Sequence, residues 1–543
     1  MGSCGVAKSY RPVVRDQSFL LPPDMREWLP ADHVVWFLLE TVEALDTGGF
    51  HTRRRVGGVG AAGYDPDMLL ALLIYAYCQG VRSSRQIERR CLTDVAFRVV
   101  CAQDIPDHAT LARFRAEHQD TFAALFTQVL LVAAGAGLAR LGTVAIDGTK
   151  IPANASIDAN RGQDWLQAQV AQIVAEAQRV DAAEDIVSAA GPSDDADDGG
   201  GERVPPRLRD RSHRTQRIRQ AAQEVTGQTR RRERAEQERQ DTALARRRRS
   251  EAGGPVVGRI PDGPHRLAEA EAHLAREIAA HQAKLDRYAT ILAAGRRPMG
   301  RPPVPMEQAT RVLRARRVVQ AARDAEVKAA AGESPDAAFK HRKPKHLPTV
   351  VANTTDPQSR IMPTRKGFLQ GYNAQVAVSA DQVIVAVSVG QSTNDLASFV
   401  PMMQAAQKAA DRLHAFTDDD DRVLGTVLAD AGYATDANLA VPGPDRLIAL
   451  GKGRDQSKAA ACAPAQGPPP ADATPRQAMA HRLRTEDGKA LYRRRGATVE
   501  PAIGNLKKIL DRFSRRGLDA ALGELQLAAT ACNLLKIYRA ATA

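Results

Sequence analysis

Hydrophobic positions divide the chain into a helical first part and a later part with strand-like runs. Up to about residue 140, apolar residues recur at helical spacing, and residues 68–78 form a strongly apolar run of this kind. Asp65 and Pro66 stand just before that run, as a cap and a first-turn proline. The pattern therefore predicts an all-helical N-terminal domain over residues 1–140.

Strand-forming runs begin directly after this domain and return much later in the chain. Residues 371–378 and 382–389 are β-favouring segments on either side of a short polar turn, which predicts an antiparallel hairpin. A helix and then another apolar run, residues 422–429, follow the hairpin. Strands that alternate with helices predict an α/β domain, which we place at residues 141–161 and 345–543.

Residues 162–344 interrupt this domain with a sequence of different character. A stretch rich in Gly and Asp, residues 191–201, predicts a flexible linker. Residues 267–292 carry apolar side chains at coiled-coil-like spacing on a charged, alanine-rich background. A second helix is expected at residues 307–330. The sequence thus predicts a long helical insertion that contains a helical hairpin.

Most of the positive charge of the chain lies in one segment of this insertion. The net charge is +13, and residues 203–249 contain 16 arginines and 6 acids, which gives this segment +10. A basic block in an otherwise balanced protein indicates a polyanionic partner, nucleic acid before membrane. A solvated charged helix without a partner is the alternative.

Cysteine usage and the apolar runs limit the class of protein. The six cysteines form no C-x-x-C pair and no paired Cys/His spacing, which argues against a zinc site and against a disulfide scaffold. The first residues lack the apolar core of a signal peptide, and the uncharged run 121–139 contains Thr, Gln and Gly. We therefore expect a cytoplasmic, nucleoid-associated protein with no membrane partner.

Two acids follow predicted strands and precede small residues. Val-Ala-Ile leads into Asp147 and then Gly148, and Val-Leu-Ala leads into Asp430. Asp before Gly is also ordinary turn chemistry, so Asp147 alone does not define a site. We expect Asp147 at the tip of a central strand, with Gly148 turning the backbone at once. Two such strands can be neighbours in one sheet, and their carboxylates would then share a cation.

A third acid is expected from a helix packed beside the sheet, and Glu500 is the best candidate. Three carboxylates close together repel one another unless a metal ion neutralises them. Mg²⁺, with Mn²⁺ as a substitute, prefers such oxygen ligands, and a two-metal site suits phosphoryl transfer. Arg495 and Lys507 flank the glutamate, where a guanidinium and an ammonium would hold phosphates.

Short helices with basic residues occur in the N-terminal domain. Arg85 and Arg89 stand one turn apart, and Arg113 and Arg115 are expected near the exposed side of a helix that Asp107 caps. Such faces suit contacts with DNA phosphates, which is the preferred interpretation. They also suit an ordinary helical bundle with a charged exterior.

One segment contains the residues of a Y-R-E-K signature: Tyr492, Arg495, Glu500 and Lys507. With this signature, and with Asp147 and Asp430 in their strands, the chain resembles a bacterial insertion-sequence transposase of the DDE class. Its residues 10–160 and 345–540 carry the resemblance. Four residues separate Arg495 from Glu500, where related groups often have three.

The resemblance implies a helical N-terminal domain and a catalytic domain with an RNase H-like mixed sheet flanked by helices. It also implies that Asp147, Asp430 and Glu500 are the catalytic residues and the ligands of the metal ions. The residues that we assign to DNA or phosphate binding are Tyr492, Arg495, Lys507, Lys150, Arg85, Arg89, Arg113 and Arg115.

Several other polar residues are rivals for a role in the site. Asp395 and Asp436 are interpreted as helix caps, and Glu486 with Asp487 as a turn. His108 is interpreted as a capping or surface residue rather than a metal ligand.

The leading hypothesis is a Mg²⁺-dependent DNA transposase. It would bind double-stranded DNA at the terminal inverted repeats of its element, cleave the 3′ ends and join them to target DNA. Pairing two ends requires a homodimer or higher oligomer in the synaptic complex, and the insertion is a candidate assembly surface. Two alternatives stay open: a structure-specific nuclease of the same fold, and a non-catalytic nucleic-acid-binding protein that uses the arginine-rich block.

Overall fold

The computed structural model describes residues 24–52, 63–189, 206–251, 266–295, 302–330, 350–365 and 367–542. The chain divides into two compact units. The first unit is Met1–Asn160 with Asn353–Ala543, and the second is Arg161–Ala352. The predicted linker at 191–201 and the first residues of the arginine-rich block lie outside the described residues.

The N-terminal part of the first unit is helical, as the hydrophobic pattern predicts. Its apolar run forms the helix Pro66–Cys78, in which Asp65 accepts the N–H of Asp67 as the cap. Ten side chains of this helix are buried, because it is surrounded by the others. The helices are α1 (Val34–Ala44), α2 (Gly48–His51), α3 (Pro66–Cys78), α4 (Ser84–Thr93), α5 (Val95–Val100), α6 (His108–Glu117) and α7 (Thr121–Gly135).

A mixed sheet forms the centre of the remaining first unit. The strands are β1 (Thr143–Pro152), β2 (Asn160–Gly162), β3 (Val351–Asn353), β4 (Arg360–Thr364), β5 (Gly367–Ser379), β6 (Ile384–Gly390), β7 (Thr426–Ala429) and β8 (Arg446–Ile448). Six strands join in the order β4-β5-β1-β7-β8, with β6 paired to β5, while β2 and β3 form a separate pair. β1, β4 and β6 run antiparallel to β5, and β7 runs parallel to both β1 and β8. The predicted hairpin is β5 with β6.

Strand β1 is longer than the sequence predicts. It pairs with β5 along nearly its whole length, so Asp147 lies inside the strand and not at its tip. Its parallel neighbour β7 pairs only as far as Ile146, opposite Ala429. Gly148 therefore does not turn the chain. The antiparallel partner continues beyond the parallel one, and that extra pairing keeps the backbone of β1 extended.

The second unit consists mainly of long helices joined by small apolar clusters. Leu166 packs with Ile218 and Val225, and Ala270 packs with Val319 and Ala322. The last two helices pack against each other, as expected for the predicted hairpin. The helices are α8 (Gln163–Ala189), α9 (Pro206–Glu251), α10 (Arg266–Ala293) and α11 (Thr310–Ala330).

Six further helices complete the first unit. They are α12 (Phe399–Thr417), α13 (Asp436–Ala440), α14 (Gly453–Cys462), α15 (Pro475–Arg482), α16 (Glu486–Ile509) and α17 (Leu518–Ala541). Glu486 and Asp487 form the first turn of α16 rather than a loop turn, because Thr485 caps this helix by accepting the N–H of Gly488. Asp436 likewise opens α13, and its cap is Thr435.

The hydrophobic core of the first unit lies between the sheet and these helices. Val144, Ala145 and Ile146 of β1 are fully buried, and α17 packs against β6, α3 and α7. In the part of the chain that the structure describes, no helix has both the length and the apolar character needed to span a bilayer.

Candidate active site

The register of β1 and β7 brings two aspartates together. Ile146 pairs with Ala429 in the parallel ladder, and Asp147 and Asp430 are the next residues of the two segments. Neighbouring strands lie about 4.8 Å apart. Both acids therefore directly follow the last residue pair of the parallel ladder and lie side by side. Strand β7 ends at this point, whereas β1 continues.

The guanidinium of Arg495, from α16, lies between these two carboxylates. Its Nη2 is 2.7 Å from Oδ2 of Asp147 and 3.9 Å from Oδ2 of Asp430. The side chain of Arg495 is 13% exposed and that of Asp147 22%, so solvent screens this pair only weakly. Nε of Arg495 is buried, and no described residue accepts a hydrogen bond from it. The arginine is thus a resident cation between the acids expected to share a metal ion.

Burial raises the pKa of the Asp147 carboxyl above its ordinary value, because desolvation disfavours the charged form. The Arg495 guanidinium and the N–H of Gly148 act in the opposite direction, since both stabilise the carboxylate. The negative charges of Asp430 and Asp395 raise this pKa further. Three acids therefore influence one another here, and a cation would relieve their repulsion.

Asp395 is the third acid of this cluster, and its interpretation as a capping side chain is wrong. It precedes the 3-10 turn Leu396–Ser398, but its side chain makes no capping hydrogen bond. Oδ1 of Asp395 instead accepts hydrogen bonds from Nζ of Lys150 at 3.3 Å, Nδ2 of Asn373 at 2.7 Å and Nε2 of Gln375 at 2.7 Å. Strands β1 and β5 thus fix this carboxylate.

A sequence signal for this cluster exists in β5. Asn373 and Gln375 are polar residues at alternate positions in the middle of a largely apolar strand, and both are buried. The buried Tyr433 donates its hydroxyl to Oε1 of Gln375. Burial raises the pKa of Tyr433, and the charges of the three aspartates raise it further. Buried polar groups need partners, and two of them on one face of a core strand indicate a site.

The Y-R-E-K residues lie on α16 but do not face the same point. Burial raises the pKa of the half-buried Tyr492, an effect that the Arg495 guanidinium opposes and the Asp430 carboxylate reinforces. Glu500 and Lys507 are exposed, and Glu500 makes no ion pair or side-chain hydrogen bond with another described residue. Five residue steps from Arg495 to Glu500 rotate the helix by about 140° from one to the other. The structure therefore joins Arg495, but not Glu500, to the aspartates.

The four arginines assigned to DNA contact in the N-terminal helices separate into two kinds. Arg85, Arg89 and Arg113 are exposed, as predicted. Arg115 is only 6% exposed, contrary to the expectation of an exposed side. Its guanidinium donates to the hydroxyl of Tyr77, to Oγ of Ser84 and to the carbonyl oxygen of Arg82. Arg115 therefore holds helices together, because two residue steps place it on the inner face of α6 while Arg113 faces outwards.

His108 pairs with Glu88 at 2.8 Å, in keeping with a surface role. Among the described residues, one group of three has ligand atoms within 4.8 Å of one another: His51, Asp65 and Asp67. The cap of α3 and an ion pair to the histidine account for those contacts.

Two family models match parts of the chain. A transposase domain (DUF772) matches residues 23–117, and a transposase DDE domain matches residues 470–538. The chain carries the domains of an insertion-sequence DDE transposase. No curated protein and no solved structure matches it significantly.

The matched ranges of the transposase coincide with two parts of the first unit. The first range covers α1 to α6, including the exposed arginines. The second covers α15, α16 and most of α17, including Arg495 and Glu500. Asp147 and Asp430 lie outside both ranges, so their assignment rests on the sheet register and the contacts with Arg495. The matched transposase families imply DNA binding, and enzymes of the DDE class generally use divalent metal ions.

Proposed function

We propose that this transposase cleaves the 3′ ends of its insertion element and joins them to target DNA, with Asp147, Asp430 and Glu500 as the catalytic acids. The observation that carries the proposal is the pair of strand-borne aspartates at one level of the sheet with a shared cation between them. Such a cluster of acids on a rigid sheet suits metal-dependent phosphoryl transfer.

The sheet topology supports an RNase H-like catalytic domain. Strands β6, β5 and β1 are antiparallel neighbours, and β1, β7 and β8 are parallel neighbours. We assign residues 141–161 and 345–543 to this domain, residues 1–140 to a DNA-binding domain, and residues 162–344 to a helical insertion. The acids then lie at the centre of the sheet, where the backbone holds them in place.

The donor set around Asp147 and Asp430 fits a hard divalent cation, because carboxylate oxygens are the ligands that such ions prefer. Both carboxylates already accept a positive group, the guanidinium of Arg495. Asp147 and Asp430, with Glu500 from α16, would hold a pair of Mg²⁺ ions, for which Mn²⁺ substitutes. When bound, such ions activate the attacking oxygen and stabilise the leaving one.

Arg495 has a second role in this proposal. Its Nε is buried without a described partner, so the ion pair with Asp147 leaves part of the guanidinium unused. When divalent cations neutralise the acids, Arg495 is free to bind a DNA phosphate by its planar fork. Lys507 and Lys150 would supply ammonium groups for DNA phosphates, and Tyr492 lies three residues before Arg495 on α16.

Each unit has a basic surface that would bind DNA. Arg85, Arg89 and Arg113 are exposed and suited to phosphate contacts. In the insertion, residues 230–242 of α9 are all exposed and include five arginines. Joining two element ends requires at least a homodimer in the complex with DNA, for which the insertion offers a surface.

The test is cleavage and end-joining of a labelled duplex that carries the DNA bordering the gene, with Mg²⁺ or Mn²⁺. We expect Asp147→Asn, Asp430→Asn and Glu500→Gln each to abolish both steps while DNA binding persists. Variants that cut as well as the parent would refute the assignment of those acids. Cleavage without joining would identify a nuclease, and binding without cleavage under either metal would identify a non-catalytic DNA-binding protein.

A further inference from the structure

Asp395 has one oxygen fully engaged and one oxygen free of described donors. Oδ1 accepts three hydrogen bonds, from Lys150, Asn373 and Gln375. None of the described residues donates to Oδ2. The side chain is 27% exposed, so a small ion can reach it. Ligand carboxylates in metal sites are commonly oriented by outer hydrogen bonds of this kind.

Two glycines place this carboxylate beside the two acid-bearing segments. A Cβ on Gly148, next to Asp147, would lie 2.6 Å from Oδ1 of Asp395. A Cβ on Gly432, two residues after Asp430, would lie 2.9 Å from Oδ1 of Asp430 and 3.8 Å from Oδ2 of Asp395. The engaged oxygen therefore packs on β1, and the free oxygen faces the turn that carries Asp430.

The cluster has more negative than positive charge, and a bound cation would neutralise the excess. Asp147, Asp430 and Asp395 supply three negative charges, and Arg495 and Lys150 supply two positive ones. The sum is −1 while Arg495 stays in place. When Arg495 turns to a phosphate, the sum becomes −2, and Glu500 would add a further negative charge, so the cluster suits divalent cations.

We propose that Asp395 is a fourth acid of the metal centre, and that its Oδ2 becomes a ligand for the divalent cation when Arg495 leaves Asp147 and Asp430. With the guanidinium in place, these three acids do not offer oxygens that all lie within 4.8 Å of one another. This inference rests on the proposed function. Its outer partners are Lys150, which balances the charge of Oδ1, and the amides of β5, which orient the carboxylate.

The variant Asp395→Asn tests whether Asp395 is a metal ligand or only an acceptor of structural hydrogen bonds. The asparagine Oδ1 still accepts the three hydrogen bonds, whereas an NH₂ group replaces the free oxygen and cannot bind a cation. Mn²⁺ binding to the intact protein without DNA is measured by the loss of the free-ion electron paramagnetic resonance signal. Asp436→Asn is the matched control, because Asp436 is an exposed aspartate paired with Arg476.

We expect Asp395→Asn to weaken Mn²⁺ binding by roughly tenfold or more, with the control unchanged and cleavage restored in part by excess Mn²⁺. Lys150→Met gives a second readout. If Asp395 is a ligand, the variant loses a competing positive charge and should bind Mn²⁺ more tightly. If Asp395 only holds the strands together, the variant should bind Mn²⁺ more weakly. If Asp395→Asn binds Mn²⁺ as the parent does while Asp147→Asn loses Mn²⁺ binding, the role of Asp395 is refuted and the proposed function is not. Parent-like binding in all the aspartate variants overturns the proposed centre as well.

Discussion

The strand pair β1–β7 and the helix α16 both carry residues proposed for the site, yet they place their side chains by different means. Asp147 and Asp430 are adjacent because backbone hydrogen bonds fix the register one residue before each of them. Arg495 and Glu500 depend on how one helix is rotated against the sheet, and a single residue step changes the direction of a side chain by about 100°. Strand pairing therefore sets positions more rigidly than helix packing does.

The effect of helix rotation on side-chain direction also appears at the two arginines of α6. Arg113 is exposed, whereas Arg115, two residues later, is buried against Tyr77. Tyr77 in turn donates to Glu524 of α17, which is 1% exposed. The chain Arg115–Tyr77–Glu524 therefore links the N-terminal helices to the last helix through a buried polar network, and its members are sensitive to loss of a partner.

The largest effect on stability is expected for Arg115→Met. Removing this guanidinium leaves three acceptors without its hydrogen bonds, those of Tyr77, Ser84 and Arg82, and each unsatisfied group costs about 1–3 kcal/mol. The measurement is the free energy of unfolding in urea. Arg113→Met is the matched control on the same helix, with an expected change within about 0.5 kcal/mol.

A double variant sharpens this prediction. Glu524 also accepts hydrogen bonds from Ser514 and Arg515, so Glu524→Gln alone should cost free energy of unfolding. The double variant should lose less than the sum of the two single changes, because both residues belong to one network. Equal stability of the Arg115 and Arg113 variants would show that the buried network does not hold the helices together.

The second-largest effect is expected for Gly148→Ala, on strand β1. The new Cβ would clash with Gln375 and Asp395, which must move. Overpacking of this kind costs about 1–3 kcal/mol, and a displaced catalytic group can cost about a hundredfold in rate. Cleavage by the variant is compared with cleavage by Gly142→Ala, where a Cβ meets nothing within 4 Å. Normal cleavage by Gly148→Ala would mean that this close packing is not required.

The sequence predicts the strand-borne part of the site well and the helix-borne part poorly. Asp147 and Asp430 follow apolar runs, and these runs form neighbouring parallel strands in which Ile146 pairs with Ala429. Gly148 looks like a turn residue because sequence alone does not reveal that β5 continues beside β1. Asp395 looks like a cap because its three donors, Lys150 among them, come from distant strands. Arg115 and Arg113 are indistinguishable until the helix is packed.

The buried acid Asp356 connects strand β5 with the start of helix α17, and the smallest effect is expected there. Asp356 accepts hydrogen bonds from the hydroxyl of Tyr372, on β5, at 2.8 Å and 2.9 Å, and from the N–H of Gly517, just before α17. Burial raises the pKa of Asp356, and the Tyr372 hydroxyl opposes that rise. A carboxyl with a raised folded-state pKa favours folding at low pH, and this contribution is lost as pH rises through that pKa.

Tyr372→Phe removes a donor to the charged form, so the pKa of Asp356 should rise further and the variant should lose more stability as pH rises. We expect a cost of about 1.5 kcal/mol or more at pH values where Asp356 is ionised, and a smaller cost at lower pH values where it is protonated. Tyr538→Phe is the control, because its hydroxyl donates to the backbone oxygen of Asp32, which does not titrate. Urea unfolding across this pH range measures both variants. A cost for Tyr372→Phe that does not change with pH would show that Asp356 is protonated throughout, and the strand would then hold α17 through a neutral hydrogen bond.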